Sequence, residues 1–345
     1  MNRDSLLTVF DRLGGLIEKL PGGLQKPILR ELTPIRQLFL EQRPARLLLV
    51  GPEGEPAQEF LASLGTPDLA AGGIDQGWRS FVVPGRGEIQ ILDGRASAAD
   101  AFLAAGLERH QPDIVIFLGG DECSEEEWLQ AVRRAELSTA SVIGLADHAT
   151  FRLQARLSSE HTLANRVPRV LAKGDTLCDE AICAALPLPA QLEFARATNA
   201  RHAQAHIAGS LLKSFSAVCG VIGVQPIPLA DMPILTTLQT LMVGMIIHTT
   251  GRPFSARLVA EFLGALGFNI GAGLVLREGA RAVVRLVPFW GNAISGFVAG
   301  AGTYAIGKAA IAYFIEDRPI QETRKIFRAL LPKWGRKNPP ALPPD

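Results

Sequence analysis

Two long runs without a charged residue dominate the second half of the sequence. No Asp, Glu, Lys or Arg occurs between Asp231 and Arg252, and a second such run extends from Leu286 to Gly307. Each run reaches the length of about 20 residues that a helix needs to cross about 30 Å of hydrocarbon. The two runs therefore predict a hydrophobic helical module, built for a membrane or for a strongly apolar interface.

The composition narrows the class of protein. Of the 345 residues, 48% are hydrophobic and 20% are charged, whereas soluble domains carry about 25% charged residues. The length is sufficient for two domains with separate cores. The net charge of +1 gives no general attraction to nucleic acid, so no nucleic-acid partner is expected. The four cysteines lack metal-ligand spacing, so we expect reduced thiols in a cytoplasmic compartment, with no metal and no cofactor.

Between residues 44 and 187, short apolar runs alternate with helical patterns. RLLLVG, DIVIFLGG, SVIGLAD and RVLAKGD are typical of buried strands, and FVVPGRGEIQIL is typical of a hairpin. A helix that starts after Ser124 has a capping box with Glu127. Strands that alternate with helices predict an α/β domain with a mostly parallel sheet and helices on both faces.

The turn after the first strand stands where a phosphate-binding loop would be. Such a loop is Gly-x-x-x-x-Gly-Lys-Ser/Thr, whose lysine contacts phosphate oxygens and whose hydroxyl binds Mg²⁺. Here Gly51 follows the strand, but the decisive positions hold Pro56, Ala57 and Gln58. Proline has no N–H donor, alanine has no charge, and glutamine does not replace the hydroxyl. We therefore expect no catalysis and no bound nucleotide.

Two further elements of a nucleotide site survive in part. An Asp-x-x-Gly element appears as Asp-Gly-Arg-Ala from Asp93, and an Asn-Lys-x-Asp element appears as Gly-Leu-Ala-Asp ending at Asp147. On these three ordered elements, residues 44–187 resemble the Ras/Era-like GTPase family. The resemblance implies a doubly wound, degenerate GTPase fold in which Gly51 and the two aspartates are vestiges. As an alternative, both aspartates are polar caps at strand ends.

A proline-rich corner precedes the first uncharged run. Pro226 and Pro228 each fix φ and keep the preceding residue out of the α region. Asp231 is well placed as a helix N-cap, with Pro233 in the first turn. Gln239 lies inside the apolar helix and needs a hydrogen-bond partner if it is buried. We expect it to contact another helix.

The corner and its downstream glutamine are similar to a bacterial family catalogued as domain of unknown function 697, over residues 207–327. That resemblance implies a helical, mostly membrane-associated module without an assigned reaction or catalytic residue. The remaining motifs that support it are Met242-Val243-Gly244, Gly251-Arg252-Pro253 and Gly307-Lys308-Ala309-Ala310.

Two patterns concern how the helices associate. Gly296 and Gly300 allow two helix backbones to approach closely, either within the chain or across a homo-oligomer. Arg277, Arg281 and Arg285 form a basic stripe before the second run. The stripe fits anionic headgroups or is a solvated helix face.

The leading hypothesis is a non-enzymatic protein on the cytoplasmic side of the cytoplasmic membrane, peripheral or integral. Its pseudo-GTPase domain would act as a scaffold for a protein partner, and its helices would contact membrane lipids, with oligomers allowed. The alternatives are a soluble cytoplasmic adaptor with a closed helical bundle and a regulatory GTP-binding switch. The expected segments are an N-terminal helical segment 1–43, the degenerate GTPase-like domain 44–187, a linker helix 188–206, the hydrophobic helical domain 207–330 and a basic, proline-rich tail 331–345.

Overall fold

The computed structural model describes most of the chain in two units. The described residues are 11, 13–15, 17–18, 20–51, 60–62, 64, 70–95, 100–119, 124–146, 150–166, 169–172, 178–224, 231–252, 255–267 and 291–331. Those within Thr33–Ala208 and Ile247–Pro253 form an α/β unit. Those within Thr8–Leu32, Gly209–Ile246 and Phe254–Asp345 form a helical unit.

Strands and helices follow each other along the α/β part of the chain, and helices alone follow it. The strands are β1 Ala45–Val50, β2 Ala70–Asp75, β3 Trp78–Val83, β4 Gly87–Asp93, β5 Ile114–Gly119, β6 Ser141–Ala146 and β7 Arg169–Ala172. The helices are α1 Gly22–Leu40, α2 Asp100–Arg109, α3 Glu125–Glu136, α4 Thr150–Ser159, α5 Cys178–Ala185, α6 Leu188–Ala197, α7 Arg201–Gly223, α8 Asp231–Thr249, α9 Ala256–Leu266, α10 Gly291–Phe314 and α11 Ile320–Leu330.

The α/β unit is built on a mixed seven-stranded sheet. Its strand order is β2-β3-β4-β1-β5-β6-β7. The strands β4, β1, β5, β6 and β7 are parallel to their neighbours in that series, whereas β3 pairs antiparallel with β2 and β4. The turn between β3 and β4 is the predicted hairpin, and the coarse prediction of an α/β domain followed by a helical part is confirmed.

Strand β1 lies in the middle of the sheet and is covered on both faces. Leu47, Leu48 and Leu49 are fully buried, and neighbouring side chains of a strand point to opposite faces. On the face of Leu48, helices α2, α3 and α4 complete a core in which the rings of Phe117 and Trp128 lie 5.0 Å apart. Helix α6 contributes nothing to that core and packs against β1 and β4, so it covers the opposite face.

The capping box at the start of α3 is present as predicted. The Ser124 hydroxyl accepts a hydrogen bond from the Glu127 N–H, and the Glu127 carboxylate accepts one from the Ser124 N–H at 2.9 Å. The Ser124 hydroxyl also donates to Glu127 Oε2 at 2.7 Å, and this bond, followed by the one from the Ser124 N–H, lowers the pKa of Glu127. The box thus satisfies the Ser124 and Glu127 N–H groups, which a helix start otherwise leaves without partners.

Two elements differ from the sequence analysis. Strand β2 has the sequence Ala-Ala-Gly-Gly-Ile-Asp, which has little β propensity of its own, and it forms by pairing with β3. The segment 188–206, expected to be a polar linker, contains the buried helix α6. Leu192 and Phe194 of that helix are fully buried, because the sheet face beside β1 and β4 needs an apolar cover.

In the helical unit, the uncharged character of α8 is explained by burial. The helix begins at Asp231 with Pro233 in its first turn, and every residue from Leu241 to Ile246 is buried. A helix that is apolar on all sides is typical of a core position. Nearby, Phe262 of α9 contacts Phe314 of α10, with ring centroids 5.0 Å apart.

Candidate functional site

The residues predicted from the sequence fall into three groups. Gly51, Asp93, Gln239, Gly296 and Gly300 are described with their surroundings. Asp231 and Pro233 are placed by the backbone of α8. Pro56, Ala57, Gln58, Asp147, Pro226, Pro228, Arg277, Arg281 and Arg285 lie outside the described residues.

Gly51 and Asp93 lie at the same edge of the sheet. They end neighbouring parallel strands, since Leu49 of β1 pairs in register with Asp93 of β4. Gly51 has a φ of +136°, and a Cβ at this position would overlap the carbonyl oxygen of Leu118. Only glycine fits there, because L side chains rarely adopt this φ.

The carboxylate of Asp93 is fully engaged by Arg95. Asp93 Oδ1 accepts hydrogen bonds from the Arg95 backbone N–H at 3.1 Å and from Nε at 2.9 Å. Asp93 Oδ2 accepts from Arg95 Nη2 at 2.9 Å. The Arg95 side chain is 5% exposed and that of Asp93 is 37% exposed. A bidentate pair of this kind is one of the stronger hydrogen-bonded arrangements in proteins.

This pairing leaves Asp93 poorly suited to a metal ion. In a GTPase, carboxylates at this edge help to hold the Mg²⁺ that neutralises the phosphates. Here a guanidinium already occupies the face of the carboxylate, and its positive charge opposes a second cation. The neighbouring carbonyl of Gly94 accepts a hydrogen bond from the buried Arg134. The described part of this edge is therefore a closed network of protein groups.

In the helical unit, small residues bring α7 and α10 close together. A Cβ added at Gly296 would overlap the Val224 side chain and lie 2.8 Å from the Gly220 carbonyl oxygen. A Cβ added at Gly300 would lie 3.1 Å from the Ser216 carbonyl oxygen. The glycine pair is thus used within this chain, and the pairing of early with late residues makes the two helices antiparallel.

Gln239 contacts another helix, as its position in an apolar helix led us to expect. Its Nε2 donates a hydrogen bond to Thr303 Oγ1 at 3.0 Å, which joins α8 to α10. Thr303 Oγ1 in turn donates to the Ala299 carbonyl at 2.8 Å. The amide therefore has a structural partner inside the helical unit.

Among the described residues, one surface of the helical unit is apolar and open. A groove of about 650 Å³ beside α7 is lined by uncharged residues, and a second groove of about 410 Å³, which shares Ala217 and Val221 with it, is also lined by Lys26, Arg30 and Glu31 of α1. Exposed apolar side chains continue the surface, including Val224, which is 44% exposed. We call this surface the apolar strip; it comprises Ala217 and Val221 of α7, Val224 directly after α7, Ala301 and Tyr304 of α10, and Leu330 of α11.

Lysines lie at one end of the apolar strip. Lys213 is exposed one turn before Ala217 on α7, and Lys308 is exposed one turn after Tyr304 on α10. Because α7 and α10 are antiparallel, both lysines fall at the same end. Lys213 and Val224 are about 16 Å apart along the helix axis, at about 1.5 Å per residue. That length is about half of the roughly 30 Å hydrocarbon core of a bilayer.

After Lys213 on α7 and before Lys308 on α10, the sequence is uncharged. No Asp, Glu, Lys or Arg occurs from Ser214 to Ala230, or from Leu286 to Gly307. By length and composition, one helix of the described chain, α7, is apolar enough to cross a membrane, and 44% of its apolar window is buried. The other residues of that window are half-buried or exposed.

Comparison with known proteins gives no further guide. No protein-family model matches the chain, and no curated protein matches it significantly. The likenesses to the GTPase family and to the domain of unknown function therefore remain predictions from their motifs.

The sequence analysis missed Arg95 as part of the aspartate site. An Asp and an Arg two residues apart at a strand end are a weak signal on their own. Gly94 between them lies against β1, where an added Cβ would lie 2.9 Å from the Leu49 carbonyl oxygen. No local pattern in the sequence indicates this close approach.

Proposed function

We propose that this protein is a non-catalytic, membrane-associated scaffold. Its helical unit binds the cytoplasmic face of the cytoplasmic membrane through the uncharged end of the apolar strip. The insertion reaches one leaflet, with Lys213 and Lys308 at the level of the lipid headgroups. Its α/β unit is a degenerate Ras-like domain that serves as a surface for a protein partner.

The main evidence for membrane binding is the apolar strip. On α7 and α10, its apolar side chains extend away from Lys213 and Lys308 over about the depth of one leaflet. Lysine stems extend along apolar surface while the ammonium groups stay in the headgroup region. Positive charge there is attracted to anionic lipids, and the apolar side chains gain by leaving water.

Two features support a scaffold role for the α/β unit. The hairpin β3-β4 beside the parallel series β4-β1-β5-β6-β7 is compatible with a Ras-like domain. Arg95 occupies the carboxylate of Asp93, and Ala57 stands where a phosphate-binding lysine is needed. This unit also exposes large apolar side chains, with Phe151 at 82% exposure and Phe102 at 64%, which suit a protein partner.

A soluble adaptor with a closed helical bundle is the second candidate. The burial of α8 favours it, because protein already covers much of this uncharged, apolar helix. The open surface beside α7 counts against it. A regulatory GTP switch is the third candidate, and calorimetry with GTP and Mg²⁺ separates it from the first two. We expect no heat of binding, and stoichiometric binding would support the switch.

Vesicle flotation with charge-insertion variants tests the proposal. Val221→Glu and Val224→Glu each place a carboxylate on the apolar strip. An acidic residue at bilayer depth costs about 2.5–3.5 kcal/mol, so each variant should partition roughly a hundredfold less into anionic vesicles.

Phe151→Glu is the matched control, because it removes an exposed apolar side chain from the α/β unit. This variant should float like the wild type. Equal flotation of all three variants, or no flotation of the wild type, would exclude the apolar strip as the membrane contact. All proteins are compared as full chains, with circular dichroism to verify folding.

A further inference from the structure

A polar pocket lies at the sheet edge opposite Asp93. It is formed where β1 and β4 begin, together with α6 and the end of α8 within the α/β unit. The pocket has a volume of about 590 Å³, within the range of about 300–1,000 Å³ that is typical of small-molecule sites. The residues that matter here are Gln42, Glu88, Glu193, Arg196 and His248.

His248 is buried in this pocket without a hydrogen bond. The residue is 5% exposed, and among the described residues neither ring nitrogen has a hydrogen-bond partner. Its ring lies beside that of Phe39, with centroids 5.9 Å apart. Burial, together with the charge of Arg196, lowers the pKa of His248 to about 3. The imidazole is thus neutral near pH 7, with one nitrogen that donates and one that accepts.

Two further buried atoms in the same pocket lack a partner among the described residues. They are the Gln42 carbonyl oxygen Oε1, an acceptor, and the Arg196 Nε–H, a donor. With His248, the side chains that line the pocket hold two donors and two acceptors without a partner among the described residues. Buried polar groups are nearly always hydrogen-bonded to protein, water or a ligand. Four such atoms on side chains around one cavity therefore favour a bound polar molecule.

The pocket also contains one negatively and one positively charged side chain, Glu193 and Arg196, which are only weakly paired with each other. Glu193 Oε2 lies 3.4 Å from Arg196 Nη1, and Glu193 Oε1 accepts from the Glu88 N–H at 3.1 Å. Burial raises the pKa of Glu193 and lowers that of Arg196, so each group gains from an additional partner of opposite charge. Arg43, by contrast, is held by both oxygens of Asp113.

We propose that this pocket binds a small zwitterion of the α-amino acid class. The ligand carboxylate accepts hydrogen bonds from Arg196 and His248, and the ligand ammonium donates to Glu193 and Gln42. A phosphate fits poorly, because it would bring additional negative charge beside Glu193 and Glu88. A simple cation would provide no acceptor for Arg196.

Calorimetry on the full-length protein without lipid tests this site separately from membrane binding. The probes are the twenty common amino acids, with acetate and methylammonium as the two halves of the ligand. At least one amino acid should bind, and both halves should bind at least tenfold more weakly. Binding of acetate as tight as that of the best amino acid would overturn the proposal. So would no binding by any amino acid, which would mean that water fills the pocket.

Three variants locate the binding site. Glu193→Gln keeps the shape of the side chain and removes the charge that holds the ammonium, so affinity should fall at least tenfold. His248→Gln should weaken binding to a similar extent. Glu108→Gln, at an exposed position of α2, should bind like the wild type. Unchanged affinity in both folded pocket variants would place the ligand elsewhere and contradict the proposal.

Discussion

Arg95 donates hydrogen bonds to both carboxylate oxygens of Asp93, with Nε 2.9 Å from Oδ1 and Nη2 2.9 Å from Oδ2. The arginine lies two residues after the aspartate, in the loop that follows β4. In an active GTPase, a carboxylate at this position helps to bind the metal ion. In this chain, the carboxylate of Asp93 is instead paired with the positively charged Arg95. The pair joins the loop to the sheet, and we therefore assign it a structural role.

Removing that carboxylate charge should destabilise the α/β unit. Asp93→Asn leaves the buried Arg95 guanidinium without its counter-charge, and lost hydrogen bonds to a charged group cost about 1.5–3 kcal/mol. Because Asp93 is 37% exposed, we expect the lower end of that range. Urea unfolding gives the free energy of unfolding for both proteins.

The control for this variant is an exposed ion pair. Asp75 lies 4.0 Å from Arg109, and both side chains are more than half exposed. Asp75→Asn should change the free energy of unfolding by less than about 1 kcal/mol, as is usual for surface pairs. Equal effects of Asp93→Asn and Asp75→Asn would show that the Asp93 pair has no special structural role.

The contact between α7 and α10 should respond to a single methyl group. Gly296→Ala places a Cβ against Val224 and the Gly220 carbonyl oxygen, and such overpacking costs about 1–3 kcal/mol. Gly302→Ala, on the same helix, meets no atom within 4 Å and should stabilise the helix by about 0.5–1 kcal/mol. Opposite signs in thermal unfolding are expected, and equal shifts would contradict the close approach.

Lowering the pH should reduce the free energy of unfolding, because His248 is buried in its neutral form. Its folded pKa of about 3 lies below the usual value of about 6.5. The contribution of this residue to stability is therefore fully present above pH 6.5 and is lost as the pH falls toward 3. Between those limits the unfolded state binds a proton that the folded state excludes, so stability falls by up to about 1.4 kcal/mol per pH unit.

A variant isolates that contribution from those of other groups. His248→Gln does not titrate, so its free energy of unfolding should fall less than that of the wild type between pH 7 and pH 5. His202→Gln, at an exposed position of α7, should follow the wild type. Parallel pH profiles for all three proteins would mean that the folded state accommodates a protonated His248.

Much of the fold follows from local sequence patterns. Continuous apolar runs predict β1, β5 and β6, because strands buried on both faces need no polar alternation. The turn sequence Pro-Gly-Arg-Gly predicts the hairpin, and Ser124 with Glu127 predicts the start of α3. Each of these signals depends on residues within a few positions of one another.

The parts that were not predicted depend on contacts between distant residues. Strand β2 exists because β3 pairs with it, and α6 is buried because a sheet face needs cover. The pocket around His248 joins residues from positions 42 to 251, and no local pattern indicates that His248 would lack a hydrogen-bond partner among the described residues. The uncharged runs predicted that their helices lie in apolar surroundings. They did not show whether other parts of the protein cover a helix, as they cover α8, or whether the helix borders an open surface, as α7 does.

Fluorescence quenching by lipids brominated in the acyl chains measures directly whether the uncharged end of the apolar strip enters a bilayer. Val224→Trp and Lys213→Trp place a reporter at each end of the strip, and the wild type gives the background from the native tryptophans. In anionic vesicles, the tryptophan at position 224 should be quenched strongly and the one at position 213 only weakly. Equal quenching at both positions, or no quenching at either, would contradict insertion of this end of the helical unit.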